Sequence, residues 1–449
     1  MNTGDTAWVL ISAALVLLMT PGLALFYGGM VRAKSVLNMM MMSFGALALV
    51  SVLWALFGYS LAFGNDVGGV VGDPVQFAGL GGLLGTSGAG HGFTAIHLVG
   101  TVPATAYVAF EATFAAVTVA LISGAIADRA RFGPWLVFAG AWLVLAYCPV
   151  AHWVFATDGL AARTGGWLVD ELHVVDFAGG TVVEINAGAA GLALALVLGR
   201  RRGFGRDPMR PHNLTLVMAG AGLLWFGWLG FNAGSALGAN GQAAEVLVTT
   251  LLAMAAGTFG WLVTERFRDG HATSLGAASG VVAGGVAITP SCSSVTPLGA
   301  LLVGAVAGVV CALAVGLKYR WGYDDSLDVV GVHFVGGVWG TLAVGLLAAP
   351  SASAGVTGLF YGGGATQLGR QAVAVVVVAA WSFLVSLAIG RLLQRTVGFR
   401  IAAEDEMTGI DSVVHAETAY ELDALGGGHP MMPRRQSAAE ARLPGSDHG

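Results

Sequence analysis

"DFAGGTVVEINAGAAG" (residues 176–191) holds one carboxylate, Glu184, inside an apolar run that continues through "LALALVLG". A charge at the centre of a membrane helix costs about 2.5–3.5 kcal/mol even on lenient insertion scales, so such residues face a partner or a pathway. The rest of the chain makes the membrane reading unavoidable. Of 449 residues, 56% are hydrophobic and only 10% charged, with a mean hydropathy of +0.75; soluble domains carry about 25% charged residues. Apolar stretches of ~20 residues recur without strict alternation, which selects helices over barrel strands. The expected fold is therefore an all-α integral membrane protein. Its helices are predicted near 6–28, 37–62, 97–126, 133–154, 177–198, 213–235, 244–264, 272–289, 297–317, 329–349 and 367–392, eleven in all.

Basic residues orient these spans. Arg32, Lys34, Arg129, Arg131, Arg200, Arg201, Arg202, Arg206, Arg210, Arg266, Arg268, Lys318 and Arg320 lie in loops of one parity, and only Arg163 and Arg370 in the other. The first set is assigned to the cytoplasm, which puts the N-terminus outside and, with eleven spans, the C-terminus inside. "MNTGDTAW" opens the chain without Lys or Arg, so no cleaved signal peptide is expected. Residues 1–393 form the predicted membrane domain. Residues 394–449 form a polar cytoplasmic tail whose first half can fold and whose last twenty or so residues read as disordered. The net charge of −5 is small and says little about partners, and no nucleic-acid partner is expected; Cys148, Cys292 and Cys311 lie in or near apolar segments, which suggests neither disulfides nor a metal site.

A second stretch echoes the first. "DSLDVVGVHFVGGVWG" (325–340) sets Asp325 eight residues before His333, as Asp176 precedes Glu184, and Gly337 and Gly340 repeat Gly188 and Gly191 at the same spacing. "GLALFYGG" in the first span is answered by "GWLGFNAG" in the sixth, matching Gly22, Phe26 and Gly29 to Gly227, Phe231 and Gly234. Two five-helix halves follow, about 6–198 and 213–349, with the eleventh helix outside the repeat. Five is odd, so the halves insert in opposite directions. Eight helical residues rise ~12 Å. Glu184 and His333 then approach the middle of a ~30 Å hydrocarbon core from opposite sides. A buried ion pair that only fixes helix register is the plainer alternative to a conduction path.

"DFAGGTVV", "GFNAGSA", "FYGGMVRAKSVLN", "RPHNL" and "DVVGVH" together resemble the Amt/Mep/Rh family of ammonium transporters, from about residue 6 to about 420. The resemblance implies eleven helices in two inverted halves, a homotrimer in the bacterial plasma membrane with one pore per subunit, ammonium or methylammonium as substrate, and no cofactor. It assigns an outer ammonium site to Ser235, Phe110, Phe114 and Phe155, supported by Asp176. The pore gate falls on Phe114 and Phe231, the pore lining on Trp228, and the proton relay on Glu184 and His333. Glu111, between the two aromatics of "FEATF", is a second intramembrane carboxylate. It is read as pore-lining, aiding the proton path or attracting cations, with a bond to a neighbouring backbone group as the alternative.

Two departures from the family's pattern stand out. Phe155 ends "AHWVF" where relatives often have Trp, which removes an indole donor and some cation–π strength; weaker ion recruitment or compensation from elsewhere is expected. Glu184 replaces the first histidine of the usual bacterial pair, a change some fungal relatives share. The tail segment "EDEMTGIDSVVHAETAY" resembles the family's regulatory tail, and relatives are gated by a PII-type signal protein. An ammonium sensor and a channel for neutral gas are the rival functions. Enzyme activity has no support, because no nucleophile constellation, phosphate loop or metal cluster appears. His91, His97, His173 and the tail histidines are expected to be scattered and solvated.

Overall fold

The computed structural model describes residues 1–87, 93–94 and 96–420. His91 and the end of the tail lie outside them. Among the described residues, ten helices are long and apolar enough to cross a membrane: α1 (Thr3–Met30), α2 (Ala33–Phe63), α3 (Ala104–Ile126), α4 (Phe132–Phe155), α5 (Gly180–Leu198), α6 (Leu214–Gly234), α7 (Gly241–Arg268), α9 (Pro297–Trp321), α10 (Val330–Leu347) and α11 (Thr366–Thr396). Between α7 and α9 sits α8 (Ser274–Ile288), apolar but only 15 residues long. At 1.5 Å per residue it reaches ~22 Å.

Local chemistry sets the helix starts. The side chains of Asn2, Asn213, Asn240, Thr273 and Thr296 each accept a first-turn amide, which satisfies donors that have no partner within the helix. The third span begins later than expected. Residues Leu98–Val99 and Val102–Pro103 pair as a short antiparallel turn about Gly100, whose φ is +58°. That backbone excludes a helix until Ala104.

The crossing of the two halves is visible in their contacts. α1 runs antiparallel to α6: Gly22 meets Leu223 and Leu224, Gly29 meets Val217, and Gly227 and Gly234 meet Leu15 and Ser12. α5 crosses α10 in the same manner. A Cβ on Gly188 would come 2.5 Å from the Phe334 amide nitrogen, and one on Gly337 would come 2.9 Å from the Glu184 Cβ and 3.0 Å from the Ile185 side chain. Adding the repeat offset turns Gly188 into Gly337 and Ile185 into Phe334. The two contacts are therefore one contact seen from either half, as a two-fold axis between α5 and α10 requires.

Many of the predicted loop cations are structural. Arg201 reaches Asp324 at 2.8 Å and Asp128 at 3.1 Å, and Arg32 lies 3.4 Å from the same Asp128. Arg129 is fully buried and donates to the Ala125 and Asp324 carbonyls and to the Ser326 hydroxyl. Burial pushes its pKa down to about 10 despite Asp324. The start of the tail packs on this basic end. A short helix α12 (Ala403–Thr408) carries Glu406, which pairs with Arg400 at 2.9 Å and accepts the Arg202 amide. Asp411 accepts the amides of Leu37 and Asn38 at 2.9 and 2.8 Å. His415 corrects the expectation of solvated tail histidines: its Nε2 lies 3.0 Å from the Asn38 side-chain oxygen, and its ring packs edge-on against Phe132. His97 is likewise packed, edge-on against Phe77. His173 is exposed, as expected.

Candidate functional site: a vestibule, a stacked pair and a buried acid–imidazole contact

Glu184 sits on a wide, π-type turn, Gly180–Ile185, that opens α5, and His333 sits on its counterpart, Val330–Phe334, that opens α10. Such turns interrupt regular helix spacing and recur at functional positions. Each is held from outside by the aspartate eight residues earlier. Asp176 accepts the amides of Gly179, Gly180 and Thr181 at 2.6–2.9 Å and the Thr181 hydroxyl at 2.5 Å. Asp325 accepts the amides of Val329 and Val330 at 3.1 and 2.7 Å. Both aspartates thus cap the turns they precede. The crossing then brings Glu184 Oε2 to 2.6 Å from His333 Nδ1. Both side chains are shielded, at 1% and 5% exposure.

Above this pair lies a vestibule of about 310 Å³, lined among others by Tyr107, Phe110, Glu111, Phe114, Phe155, Asp176 and Ser235. All five residues assigned to the outer site from the sequence meet there. Ser235 donates to the Phe231 carbonyl at 2.9 Å, which turns its oxygen lone pairs toward incoming N–H groups. Trp153 does not join the vestibule. Its indole donates to the Val70 carbonyl, and its ring packs against Trp167 and Trp381.

At the floor of the vestibule the rings of Phe114 and Phe231 stack 4.0 Å apart at 21°. Beyond them is a narrow cavity of about 20 Å³, lined by apolar side chains together with Trp228, Phe231, Glu184 and His333. Its walls offer the acid and the imidazole as their only ionisable groups. Glu111 faces the vestibule rather than this narrow segment. Among the described residues its Oε2 has no hydrogen-bond partner, and the carboxylate bonds the Tyr107 phenol rather than a neighbouring backbone group.

Supporting residues went unnoticed in the sequence. The Trp228 indole donates to the Thr289 hydroxyl at 2.9 Å, and Tyr27 anchors its hydroxyl on the Leu121 carbonyl at 3.1 Å. Thr289 follows α8 directly, so that short helix ends where it can fix a ring of the narrow cavity. Single polar residues in apolar segments carry no periodic signature, and only three-dimensional proximity marks them.

The description "Ammonium Transporter Family" belongs to the family model that matches residues 7–420. An ammonium transporter of Mycobacterium bovis is 60% identical over 98% of this chain and 94% of its own length. Ammonium transporter Amt1 of Archaeoglobus fulgidus is 40% identical over 94% of this chain and 100% of its own. Among solved structures, Saccharomyces cerevisiae Mep2 superposes with a TM-score of 0.79 at 32% identity, covering 90% of this chain and 88% of that one. A chain described as a sensor Amt protein superposes with a TM-score of 0.82 at 27% identity, covering 91% and 98%. With the family matched over nearly its whole length, this multi-span membrane protein belongs to the ammonium transporter family.

Proposed function

We propose that the chain takes up ammonium by splitting it into ammonia and a proton on the axis that runs from the vestibule to Glu184 and His333. Ammonium is collected against Ser235, Phe110, Phe114 and Phe155. Four N–H donors suit a hydroxyl acceptor and π faces, which hold the ion without trapping it. Asp176 holds the turn below and adds a negative field. Behind the Phe114–Phe231 stack the ion loses its water, and ammonia crosses the apolar segment past Trp228. The proton passes through the Glu184–His333 pair. The two groups share one hydrogen bond, so the relay belongs to the pair rather than to either residue. Net transport is a single positive charge, driven by the membrane potential. Potassium has no proton to give up and is excluded without a coordinating cage.

The observation that carries this reading is the 2.6 Å contact between the acid and the imidazole in a narrow apolar cavity directly beyond the stacked rings. The reading includes eleven crossings with the N-terminus outside, the Arg-rich end in the cytoplasm, a homotrimer in the plasma membrane, and a PII-type partner at the tail. The test compares ammonium-evoked current and labelled methylammonium uptake in Glu184→Gln and His333→Ala. Loss of current in both supports the relay; unchanged current with unchanged potassium exclusion in both removes the pair from the mechanism. A sensing role is the second reading, favoured by the likeness to the sensor Amt protein. It predicts ammonium binding without appreciable uptake.

A further inference from the structure

Nine carboxylates are buried among the described residues: Glu111, Asp128, Asp176, Glu184, Glu265, Asp324, Asp325, Glu406 and Asp411. Eight of them are partnered by a basic side chain or by backbone amides. Asp128 and Asp324 have arginines, Glu406 has Arg400, and Glu184 has His333. Asp176, Glu265, Asp325 and Asp411 accept backbone amides. Glu111 alone has neither; its hydrogen-bonding neighbour is the Tyr107 phenol. Among the described residues no basic side chain pairs with it, and its Oε2 is buried without any hydrogen-bond partner. Yet it is 94% shielded, on a membrane-spanning helix, in the wall of the vestibule that also holds Ser235 and Phe155. A neutral phenol does not balance the charge of a buried carboxylate, which stays costly unless a cation joins it.

We infer that Glu111 is the anionic acceptor of the outer site, and that it compensates for the weaker cation binding that comes with Phe155. The inference rests on the transport reading above. Phe155 borders the same cavity, with its ring tip 3.4 Å from where a Cβ on Gly179 would stand. A phenyl face there attracts an ammonium ion less than an indole does. A carboxylate across the vestibule restores the attraction by charge and takes an N–H in a charge-assisted bond. The ligand class follows: small cations that carry N–H groups, such as ammonium and methylammonium.

The test measures methylammonium uptake and charge per ammonium in liposomes for the wild type, Glu111→Gln, Glu111→Leu, and Glu111→Gln combined with Phe155→Trp. Replacing a buried carboxylate that no basic side chain pairs by an apolar side chain of similar size removes its desolvation cost, so the leucine variant is available if the glutamine variant is not. The expected result is a KM raised roughly tenfold in both single variants, the scale of one charge-assisted hydrogen bond. Maximal rate and charge per ammonium stay at wild-type values, and Phe155→Trp brings the KM back. An unchanged KM in either variant, or a KM rise that Phe155→Trp leaves in place, overturns the inference. Failure of the transport reading is distinct, because it appears as absence of current in the wild type.

Discussion

The two halves use one plan and end in different chemistry. In each, an aspartate caps a wide turn, a titratable group follows eight residues later, and a glycine four residues further on lets the opposite helix in. The first half delivers an acid and the second an imidazole. The caps differ too. Asp176 gathers three short amide bonds and a hydroxyl and faces the vestibule, whereas Asp325 gathers two amides and lies among charges at the basic end, with the Lys318 ammonium on its own carbonyl. The comparison teaches that symmetry supplies the position of the acid–imidazole pair between the halves, and that the departures from symmetry make the two ends unlike. One end is a vestibule of aromatic rings and a hydroxyl, and the other is braced by arginines.

The largest expected effect comes from making the halves unlike where they must match. Asp176→Ala strands three buried amides and should cost about 3 kcal/mol or more, since each unsatisfied buried donor is worth ~1–3 kcal/mol. Thermal unfolding in detergent should show the loss. Asp325→Ala strands two and should cost less, so the ratio of the two shifts reads the asymmetry directly. Next come the crossing glycines. Gly188→Ala drives a methyl into the Phe334 backbone, which cannot step aside, and should lose ~1–3 kcal/mol by overpacking. Gly337→Ala meets the Glu184 side chain instead and should disturb current more than stability.

Restoring symmetry is a milder change. Glu184→His should preserve methylammonium uptake while altering how the current depends on pH, because two imidazoles share a proton differently from an acid and an imidazole. Uptake abolished by this change would mean that the carboxylate is indispensable and that the halves are not interchangeable at this point.

The smallest effect lies at the basic end. Burial works against the Asp324 carboxylate, but Arg201 and Arg129 outweigh it and hold its pKa below the ordinary value. A depressed carboxylate stabilises the fold above its unfolded pKa of about 3.9 and loses that contribution as pH falls through the lower folded value. The melting temperature should therefore show an acid-induced decline below about pH 4 that Asp324→Asn reduces.

Much of this was legible because the repeat is written in residue spacing. Asp176, Glu184 and Gly188 recur as Asp325, His333 and Gly337, and a helix of fixed rise converts that spacing into depth. Composition alone gave the helical membrane class. Two kinds of feature escaped. The start of α3 was lost because "LVGTVP" is apolar enough to pass for helix, and only the positive φ of Gly100 turns it into a hairpin. The unpaired oxygen of Glu111 and the support of Trp228 by Thr289 depend on which side chains meet across helices, and no single helix carries that information.

The most direct test of the central claim is the charge moved per methylammonium taken up, measured on one preparation of liposomes for the wild type and for Glu184→Gln. The account predicts a single charge per molecule in the wild type and loss of the current in the variant. An identical ratio and an identical current in both would contradict it.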